Sequence, residues 1–324
     1  MIQYIIRRLL WAVVMVLLVT MVVFLIFFVL PGGTGRRGPG GASPVAVQMA
    51  GRNPRPALVK NIEKRLGLDK PVYVQYWRYV SKAFQGDLGY SYHSNEDVTT
   101  VILRRAPASI SLAVGASIVW LVVGVSVGVL SALKRRTIFD RGAMFFALIG
   151  VSMPVFFLAL IAVFFLDGKL GIYNTATYEP ITSDPIAWFR SMWLPWLILA
   201  FVSAAIYARM VRGNMLEVQG EDYIRTARAK GLRERSVTRH SLRSALTPIV
   251  TMYGLDLGIL LGGAIITESI FNIPGIGRLA VEAIADSNLP VILGTTLLAA
   301  VFVIVANLIV DIAYAALDPR VRYS

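Results

Sequence analysis

The sequence predicts an all-α integral membrane protein with six transmembrane helices. Apolar residues make up 56% of the chain and the mean hydropathy is +0.65, which is more apolar surface than one soluble core can cover. Six apolar stretches also approach or exceed the roughly 20 residues that a helix needs to span about 30 Å of hydrocarbon. A transmembrane barrel would instead show alternating segments of about ten residues, so helices are predicted.

The six apolar stretches differ in the polar residues that they carry. They comprise residues 9–30, 108–133, 142–166, 192–208, 247–267 and 289–316. The first is 22 residues long and no A-x-A cleavage pattern follows it, so we predict a retained anchor and not a signal peptide. The fourth is the shortest, and its Trp193 and Trp196 suit a membrane–water interface. The fifth carries Asp256 and the sixth carries Asp311.

The distribution of lysine and arginine predicts that both termini are cytoplasmic, because basic residues in short loops mark the inner side. With the N-terminus inside, the loops at residues 134–141 and 209–243 are cytoplasmic and hold four and nine basic residues. The short outer loops hold only Lys169, Arg190 and Arg278. The long segment after the first span is also basic, but long translocated segments escape this rule.

The stretches divide the chain into three parts. These are residues 1–30, the first anchor; residues 31–106, an extracytoplasmic segment; and residues 107–324, a five-helix core with a cytoplasmic loop at residues 213–246. Gly, Pro and Arg dominate residues 31–56 and predict an irregular linker. Aromatic residues within residues 57–106 predict short helices that lie on the membrane face or pack against neighbouring spans.

Composition excludes several kinds of chemistry. The chain has no cysteine, and its only histidines, His93 and His240, are far apart in sequence, so we predict no metal centre. The net charge of +13 is spread between apolar runs that no nucleic-acid-binding module carries, so no nucleic-acid partner is predicted. No HExxH motif occurs, and we predict no catalytic residue.

The cytoplasmic loop contains the most informative pattern. Glu221 and Asp222 suit the start of a helix, Gly231 interrupts the helical pattern, and a second helix follows. A basic stripe is predicted on that second helix, from Arg235, Arg239 and Arg243. Two interpretations of this two-helix segment stay open on physical grounds: a helix that lies on anionic lipid, or a docking element whose small Ala227 and Ala229 allow close approach of a partner.

Carboxylates within or beside the spans need protein or water around them, since a charge at the bilayer centre costs about 2.5–3.5 kcal/mol. Asp256 lies beside Tyr253, and it either lines a pathway or forms an interhelical hydrogen bond. Glu268 is placed near the outer end of its span, where we expect it to anchor the turn at residues 272–277. Two Gly-x-x-x-Gly pairs suit close helix packing, Gly124 with Gly128 and Gly258 with Gly262.

The stretch DYIRTARAKGL at residues 222–232 resembles the cytoplasmic loop of ABC-importer permeases, in particular the dipeptide, oligopeptide and nickel branch. Four further motifs agree with that family in order and spacing: LGLD at residues 66–69, GDLG at 86–89, ESIFNIPGIG at 268–277 and LDPR at 317–320. Other branches carry a glutamate and two alanines where Arg225-Thr226-Ala227 stands here. The resemblance therefore implies the docking role but not its individual ion pairs.

The resemblance implies the type I ABC importer fold and a permease subunit that forms half of a pathway for peptides. No phosphate-binding loop occurs in the chain, so ATP and magnesium are expected on partner subunits and no cofactor on this one. The implied partners are a second homologous permease, two nucleotide-binding ATPase subunits, an extracytoplasmic solute-binding protein and membrane lipid, in a bacterial inner membrane. The alternative is an ion-coupled secondary transporter, which would need more spans and a relay of buried charges.

The resemblance also assigns two groups of residues. The ATPase-coupling group consists of Glu221, Asp222, Tyr223, Arg225, Thr226, Ala227, Lys230, Gly231, Leu232 and Arg235. The pathway or gate group consists of Tyr253, Asp256, Glu268, Phe271, Pro274 and Gly275. The substrate class within the branch, and whether this permease pairs with itself or with a second chain, stay open from the sequence.

Overall fold

The computed structural model describes residues 2–30, 43–50, 55–175 and 178–317, with the side chains of all but residues 2–5, 311 and 313–317. In chain order the helices are α1 Ile2–Phe24, α2 Pro44–Met49, α3 Pro56–Leu66, α4 Val72–Phe84, α5 Val98–Leu133, α6 Ile138–Ser152, α7 Val155–Val163, α8 Pro185–Val218, α9 Asp222–Ala229, α10 Glu234–Ala245, α11 Thr247–Leu261, α12 Ile265–Ile270, α13 Ile276–Ala285 and α14 Leu289–Leu317. Short π-helical segments, Leu25–Val29 and Phe164–Lys169, continue α1 and α7.

The predicted all-α membrane architecture is confirmed. Four helical stretches in the described part of the chain are long and apolar enough to cross a bilayer: Ile6–Val29, Val98–Leu133, Pro185–Val218 and Leu289–Val310. Two bent helix pairs, α6 with α7 and α10 with α11, raise the number to as many as six if each pair counts as one span. In the second pair α11 is the apolar helix, and α10 carries the basic side chains. Side chains on α1 are largely exposed, as expected of a helix that faces lipid.

The third predicted span, residues 142–166, is not a straight helix. α6 and α7 meet at an angle of 97° around Met153 and Pro154. Met153 has extended backbone angles, φ −94° and ψ 125°, because a residue before proline is pushed out of the helical region. The bend opens an apolar groove of about 850 Å³ between α5, α6, α7 and α8.

The second and fourth spans are longer than predicted. α5 begins at Val98, ten residues before the predicted start, and Pro107 lies inside it. α8 begins at Pro185. The preceding residue, Asp184, caps the helix, because its side chain accepts hydrogen bonds from two backbone amides of the first turn. The sequence pattern identified only the apolar middle of each helix. Because α5 runs through position 106, the boundary proposed between the outer segment and the core falls inside one helix.

The fifth span ends earlier than predicted. α11 stops at Leu261 and not at residue 267, because Gly262 and Gly263 interrupt the helix. Gly263 has φ +121°, and a Cβ there would lie 2.7 Å from the Cα of Gly277. Only glycine combines this backbone angle with such a close approach. α12 and α13 therefore form a separate two-helix turn that leads back to α14.

The outer segment contains the short helices that were predicted. α3, which begins at Pro56, and α4 form these short helices. β1 (Tyr90–Ser91) pairs antiparallel with β2 (Glu96–Asp97) in a hairpin that was not predicted. In the predicted linker, residues 44–49 form α2 and are not irregular; residues 31–42 and 51–54 lie outside the described part. α4 packs on the first span, where Tyr76 and Tyr79 contact Phe24.

Small residues set the closest helix contacts, as the Gly-x-x-x-Gly pairs predicted. A Cβ on Gly128 would lie 2.7 Å from the carbonyl oxygen of Ala208, so α5 and α8 approach at backbone distance. A Cβ on Gly258 would similarly lie 3.2 Å from the Cα of Val303 on α14. These two contacts hold α8 and α11, the helices on either side of α9 and α10, against α5 and α14.

Candidate functional site

The predicted two-helix segment is present between α8 and α11 as α9 and α10, joined at Gly231. Gly231 has φ +77°, its N–H donates to the carbonyl of Arg228, and the N–H of Leu232 donates to that of Ala227. This pair of hydrogen bonds is a Schellman motif, in which glycine occupies the left-handed position after the helix end. Gly231 therefore sets the direction in which the chain leaves α9.

Several contacts fix this segment to the membrane helices. Ile224 is fully buried and anchors α9, whereas the rest of that helix is mostly exposed. The hydroxyl of Tyr223 and Ser244 Oγ lie 3.0 Å apart, which joins α9 to α10. Asn214 on α8 donates to the carbonyl of Ala245 on α10 at 3.1 Å. α9 and α10 are thus connected both to each other and to the end of α8.

The structure brings the ten predicted coupling residues together on one segment. Nine of these residues are exposed, and Ala227 is half-buried. The basic stripe on α10 is exposed as predicted, at Arg235, Arg239 and Arg243, while Val237, Ser241 and Ala245 are buried. Within the described part of the chain, the ion pairs of the segment lie on its exposed face, such as Arg228 with Glu234 at 3.1 Å. The surface is therefore open for a partner.

An ion pair that the sequence analysis missed ties α6 to the end of α8. Arg212 donates from Nε and Nη2 to the two carboxylate oxygens of Asp140, at 2.6 and 2.9 Å. The same carboxylate accepts the backbone N–H of Arg136 at 2.9 Å, and its side chain is only 4% exposed. The sequence signal was a single carboxylate in a loop that otherwise carries Lys134, Arg135, Arg136 and Arg141.

Asp256 and Tyr253 both lie on α11 and form hydrogen bonds to neighbouring helices. The hydroxyl of Tyr207 on α8 donates to Asp256 Oδ2 at 2.8 Å. The hydroxyl of Tyr253 lies 3.0 Å from Ser117 Oγ on α5. The buried ring of Trp120 packs beside both tyrosine rings. Of the two interpretations left open for Asp256, the interhelical hydrogen bond is present, and the side chain also remains partly exposed.

Glu268 is fully buried and organises the turn after α11 as predicted. Its carboxylate accepts the Ser109 hydroxyl at 2.7 Å and the backbone N–H of Arg278 at 2.8 Å. Ser109 Oγ in turn accepts the N–H of Ile276 at 2.8 Å. A carboxylate at the start of α13 is favourable because helix amides there lack partners. Burial raises the pKa of the Glu268 carboxyl, and the hydrogen bonds that it accepts oppose that rise.

The remaining predicted gate residues surround Glu268. Phe271 is 2% exposed and its ring packs edge-on against Tyr173, Gly275 lies against the Glu268 carboxylate, and Pro274 is half-buried. Asn272 adopts φ +54° and accepts a hydrogen bond from the Arg278 side chain. Apart from Pro274 and the exposed Asn272, this turn is enclosed within the chain. Its assignment to the pathway stays a prediction.

The partners of these carboxylates were not predicted because they lie far away in the sequence. Ser109 and Glu268 are 159 positions apart, and Tyr207 and Asp256 are 49 apart. Among the described residues, no group of three or more His, Cys, Asp or Glu side chains could hold a metal ion. The arrangement consists of an exposed two-helix surface and of hydrogen bonds between helices, and no nucleophile–base pair was predicted from the sequence.

Comparison with known proteins identifies the family. Residues 124–323 match the family described as binding-protein-dependent transport system inner membrane component, and residues 1–113 match the N-terminal family of the same systems. The chain is 40% identical over 320 residues to a peptide transport system permease protein of Brucella abortus (strain 2308), covering 98% of both chains.

Two further relatives agree. The glutathione transport system permease protein GsiC of Escherichia coli (strain K12) is 37% identical over 325 residues, which is 100% of both chains. The di/tripeptide transport system permease protein DppB of Pseudomonas aeruginosa (strain UCBPP-PA14) is 38% identical over 326 residues, or 94% of each chain. The chain belongs to the binding-protein-dependent transport system inner membrane components, as a multi-pass permease of the dipeptide and oligopeptide branch of ABC importers.

Proposed function

We propose that this chain is the permease subunit of an ATP-driven importer for peptides and forms half of the translocation pathway. The observation that carries the proposal is the exposed two-helix segment α9–α10. This segment is hydrogen-bonded to α8, and its two helices are joined at Gly231. Such a segment offers a cytoplasmic partner a rigid surface to bind. Three relatives support the substrate class, since they are named for transport of peptide, glutathione and di- or tripeptides.

The proposed complex contains two nucleotide-binding ATPase subunits, a second homologous permease and an extracytoplasmic solute-binding protein. ATP and magnesium bind the ATPase subunits. In this arrangement both termini and the α9–α10 segment are cytoplasmic, which agrees with the nine basic residues between positions 209 and 243. The ten coupling residues from Glu221 to Arg235 contact the ATPase subunits.

The mechanism is rigid-body alternation driven through α9. Closure of the ATPase subunits on ATP displaces the α9–α10 segment, and α8 carries this displacement into the membrane because it continues without a break from Pro185 to Val218. The Asp140–Arg212 pair makes the start of α6 follow α8. Access to the pathway then changes from one side of the membrane to the other.

The pathway residues divide into two roles in this proposal. Tyr253 and Asp256 lie midway along α11, and the partly exposed Asp256 carboxylate faces the polar route of the solute. Glu268, Phe271, Pro274 and Gly275 form the turn at the opposite end of the bundle from α9. There the buried Glu268 holds the turn in shape, and the turn receives the solute from the binding protein.

The test separates docking from insertion in the purified complex, reconstituted in vesicles without an ion gradient. Gly231→Asp and Ala227→Arg should leave the permease inserted and assembled in the membrane, but should abolish peptide-stimulated ATP hydrolysis and uptake. Asparagine also tolerates the left-handed conformation of position 231 and adds no charge, so Gly231→Asn is the matched control and should retain most activity.

Two outcomes would contradict the proposal. Normal peptide uptake by both Gly231→Asp and Ala227→Arg would reject α9 as the coupling element. If uptake by the unmodified complex requires a proton or sodium gradient and does not depend on ATP, the ion-coupled alternative is established. A panel of glutathione, dipeptides and tripeptides in the same vesicles tests the substrate class.

A further inference from the structure

A second cavity lies at the end of the bundle opposite the α9–α10 segment. It has a volume of about 400 Å³, within the roughly 300–1,000 Å³ of small-molecule sites. Its walls come from α3, α4, the β1–β2 hairpin and the adjoining ends of the first and last spans. None of the coupling or pathway residues lines it.

The cavity has an apolar floor beside the ends of the first and last spans. The floor is formed by Phe28, Met49, Leu66 and Leu293. Phe28 belongs to the last turn of the first span, and Leu293 lies in the first turns of α14, the last span. Both spans start or end at this level, so the floor lies where lipid acyl chains meet their headgroups.

The upper wall is cationic and incompletely neutralised. Arg65, Arg78 and Lys82 line it together with Asp87 and Asp97. Lys82 lies 3.6 Å from Asp87, whereas neither Arg65 nor Arg78 has a carboxylate within 4 Å in the described part of the chain. Arg65 only stacks over the ring of Tyr90, at 5.9 Å. Two guanidinium groups therefore remain available for an anion, and guanidinium binds phosphate by paired hydrogen bonds.

Between floor and wall lies a polar group without a partner. The hydroxyl oxygen of Tyr79 is buried and forms no hydrogen bond within the described residues, although its ring packs on Phe24 and Phe28. Burial and the neighbouring Tyr76 raise the pKa of Tyr79 to about 12, so the phenol is a hydrogen-bond donor at physiological pH. A buried donor without an acceptor is unfavourable and indicates a missing ligand atom.

We propose that this cavity binds one anionic phospholipid of the surrounding membrane. The phosphate lies between Arg65 and Arg78, the Tyr79 hydroxyl donates to a phosphate or ester oxygen, and the acyl chains begin on the floor at Phe28 and Leu293. The bound lipid bridges α4 to the first and last spans and stabilises the outer segment on the bundle. The proposal is independent of what the permease transports.

The experiment measures lipid binding by the purified full-length permease in detergent. Added phosphatidylglycerol should raise the unfolding temperature and remain bound in native mass spectrometry, whereas phosphatidylcholine should do neither. The double variant Arg65→Gln/Arg78→Gln should bind phosphatidylglycerol about thirty-fold more weakly, since each basic residue near an anionic lipid contributes roughly a factor of five. Lys64→Gln, next to Arg65 on α3 but outside the cavity, is the matched control and should bind normally.

Tyr79→Phe separates ligand binding from folding. Because the hydroxyl has no partner among the described residues, its removal should leave the unfolding temperature without lipid unchanged or slightly higher, and should reduce the rise caused by phosphatidylglycerol. Equal stabilisation by phosphatidylglycerol and phosphatidylcholine would overturn the proposal. So would undiminished phosphatidylglycerol binding by the double arginine variant.

Discussion

At the scale of single residues, two carboxylates of this permease differ in how many of their oxygen atoms accept a hydrogen bond. Glu268 is fully enclosed and accepts hydrogen bonds from a serine and from backbone amides of α13. Asp256 accepts one hydrogen bond, from Tyr207, and its Oδ1 has no partner among the described residues. A buried charge needs partners, so Glu268 is suited to holding structure. The free oxygen of Asp256 is suited to interaction with water or a passing solute.

Asp256→Leu should lower the transport rate of the reconstituted complex while leaving stability nearly unchanged. Among the described residues it removes one hydrogen bond, which joins α11 to α8, and interhelical hydrogen bonds in membranes contribute about 0.6 kcal/mol on average. Removal of a membrane-embedded charge compensates for that loss. The measurements are ATP-dependent peptide uptake and thermal unfolding in detergent.

Tyr207→Phe is the matched control, because it removes the same hydrogen bond and keeps the carboxylate. It should transport at close to the normal rate. If Tyr207→Phe and Asp256→Leu impair uptake equally, the hydrogen bond and not the carboxylate matters, and Asp256 is then a structural residue.

At the scale of helices, a few polar contacts decide which elements move together. α6 touches the end of α8 through the bidentate Asp140–Arg212 pair, which is buried on the aspartate side. α9 follows α8 after three residues. In the proposed mechanism α6, the end of α8 and α9 therefore form one body, and the 97° bend between α6 and α7 marks the limit of that body.

Arg212→Met should destabilise the permease by about 3 kcal/mol, because the loss of one partner leaves the buried Asp140 carboxylate without its counter-charge. Arg209→Met is the matched control. It removes an exposed charge one turn earlier on α8 and should change stability by less than about 0.5 kcal/mol. Thermal unfolding of the purified protein measures both.

The double variant Asp140→Leu/Arg212→Met tests whether the effect comes from an unpaired charge. Replacement of a whole buried ion pair by apolar residues is often neutral, so the double variant should recover most of the stability lost in Arg212→Met. Additive destabilisation would show that the two side chains act through separate contacts.

At the scale of the whole molecule, the coupling segment and the outer segment lie at opposite ends of α5 and α8. The proposed orientation places α9 and α10 in the cytoplasm and the β1–β2 hairpin outside. The absence of cysteine from the chain makes this orientation directly measurable. A single introduced cysteine becomes the only thiol that a maleimide can label.

Ser94→Cys should react with a membrane-impermeant maleimide in intact cells, and Lys230→Cys should react only after the membrane is permeabilised. Both side chains are exposed, so a difference in labelling reports the side of the membrane and not burial. Labelling of denatured protein provides the control for thiol reactivity. The opposite pattern would place both termini outside and would contradict the proposed contact with ATPase subunits.

Local features of this protein were predictable from its sequence. Apolar stretches of sufficient length mark the candidate spans, of which the described residues form four to six, and the two-helix segment α9–α10 follows from the helical periodicity interrupted by Gly231. Glycine contacts within α5 and α11 were likewise visible as Gly-x-x-x-Gly spacing. Each of these signals lies within a few turns of one helix, where neighbours in sequence are also neighbours in space.

The tertiary structure alone decided how those helices pair. The contacts Ser109–Glu268, Tyr207–Asp256 and Asp140–Arg212 join residues 159, 49 and 72 positions apart. The physical reason lies in the solvent. Lipid is as apolar as a protein core, so hydrophobicity identifies a segment that leaves water but not which of its faces meets lipid and which meets another helix.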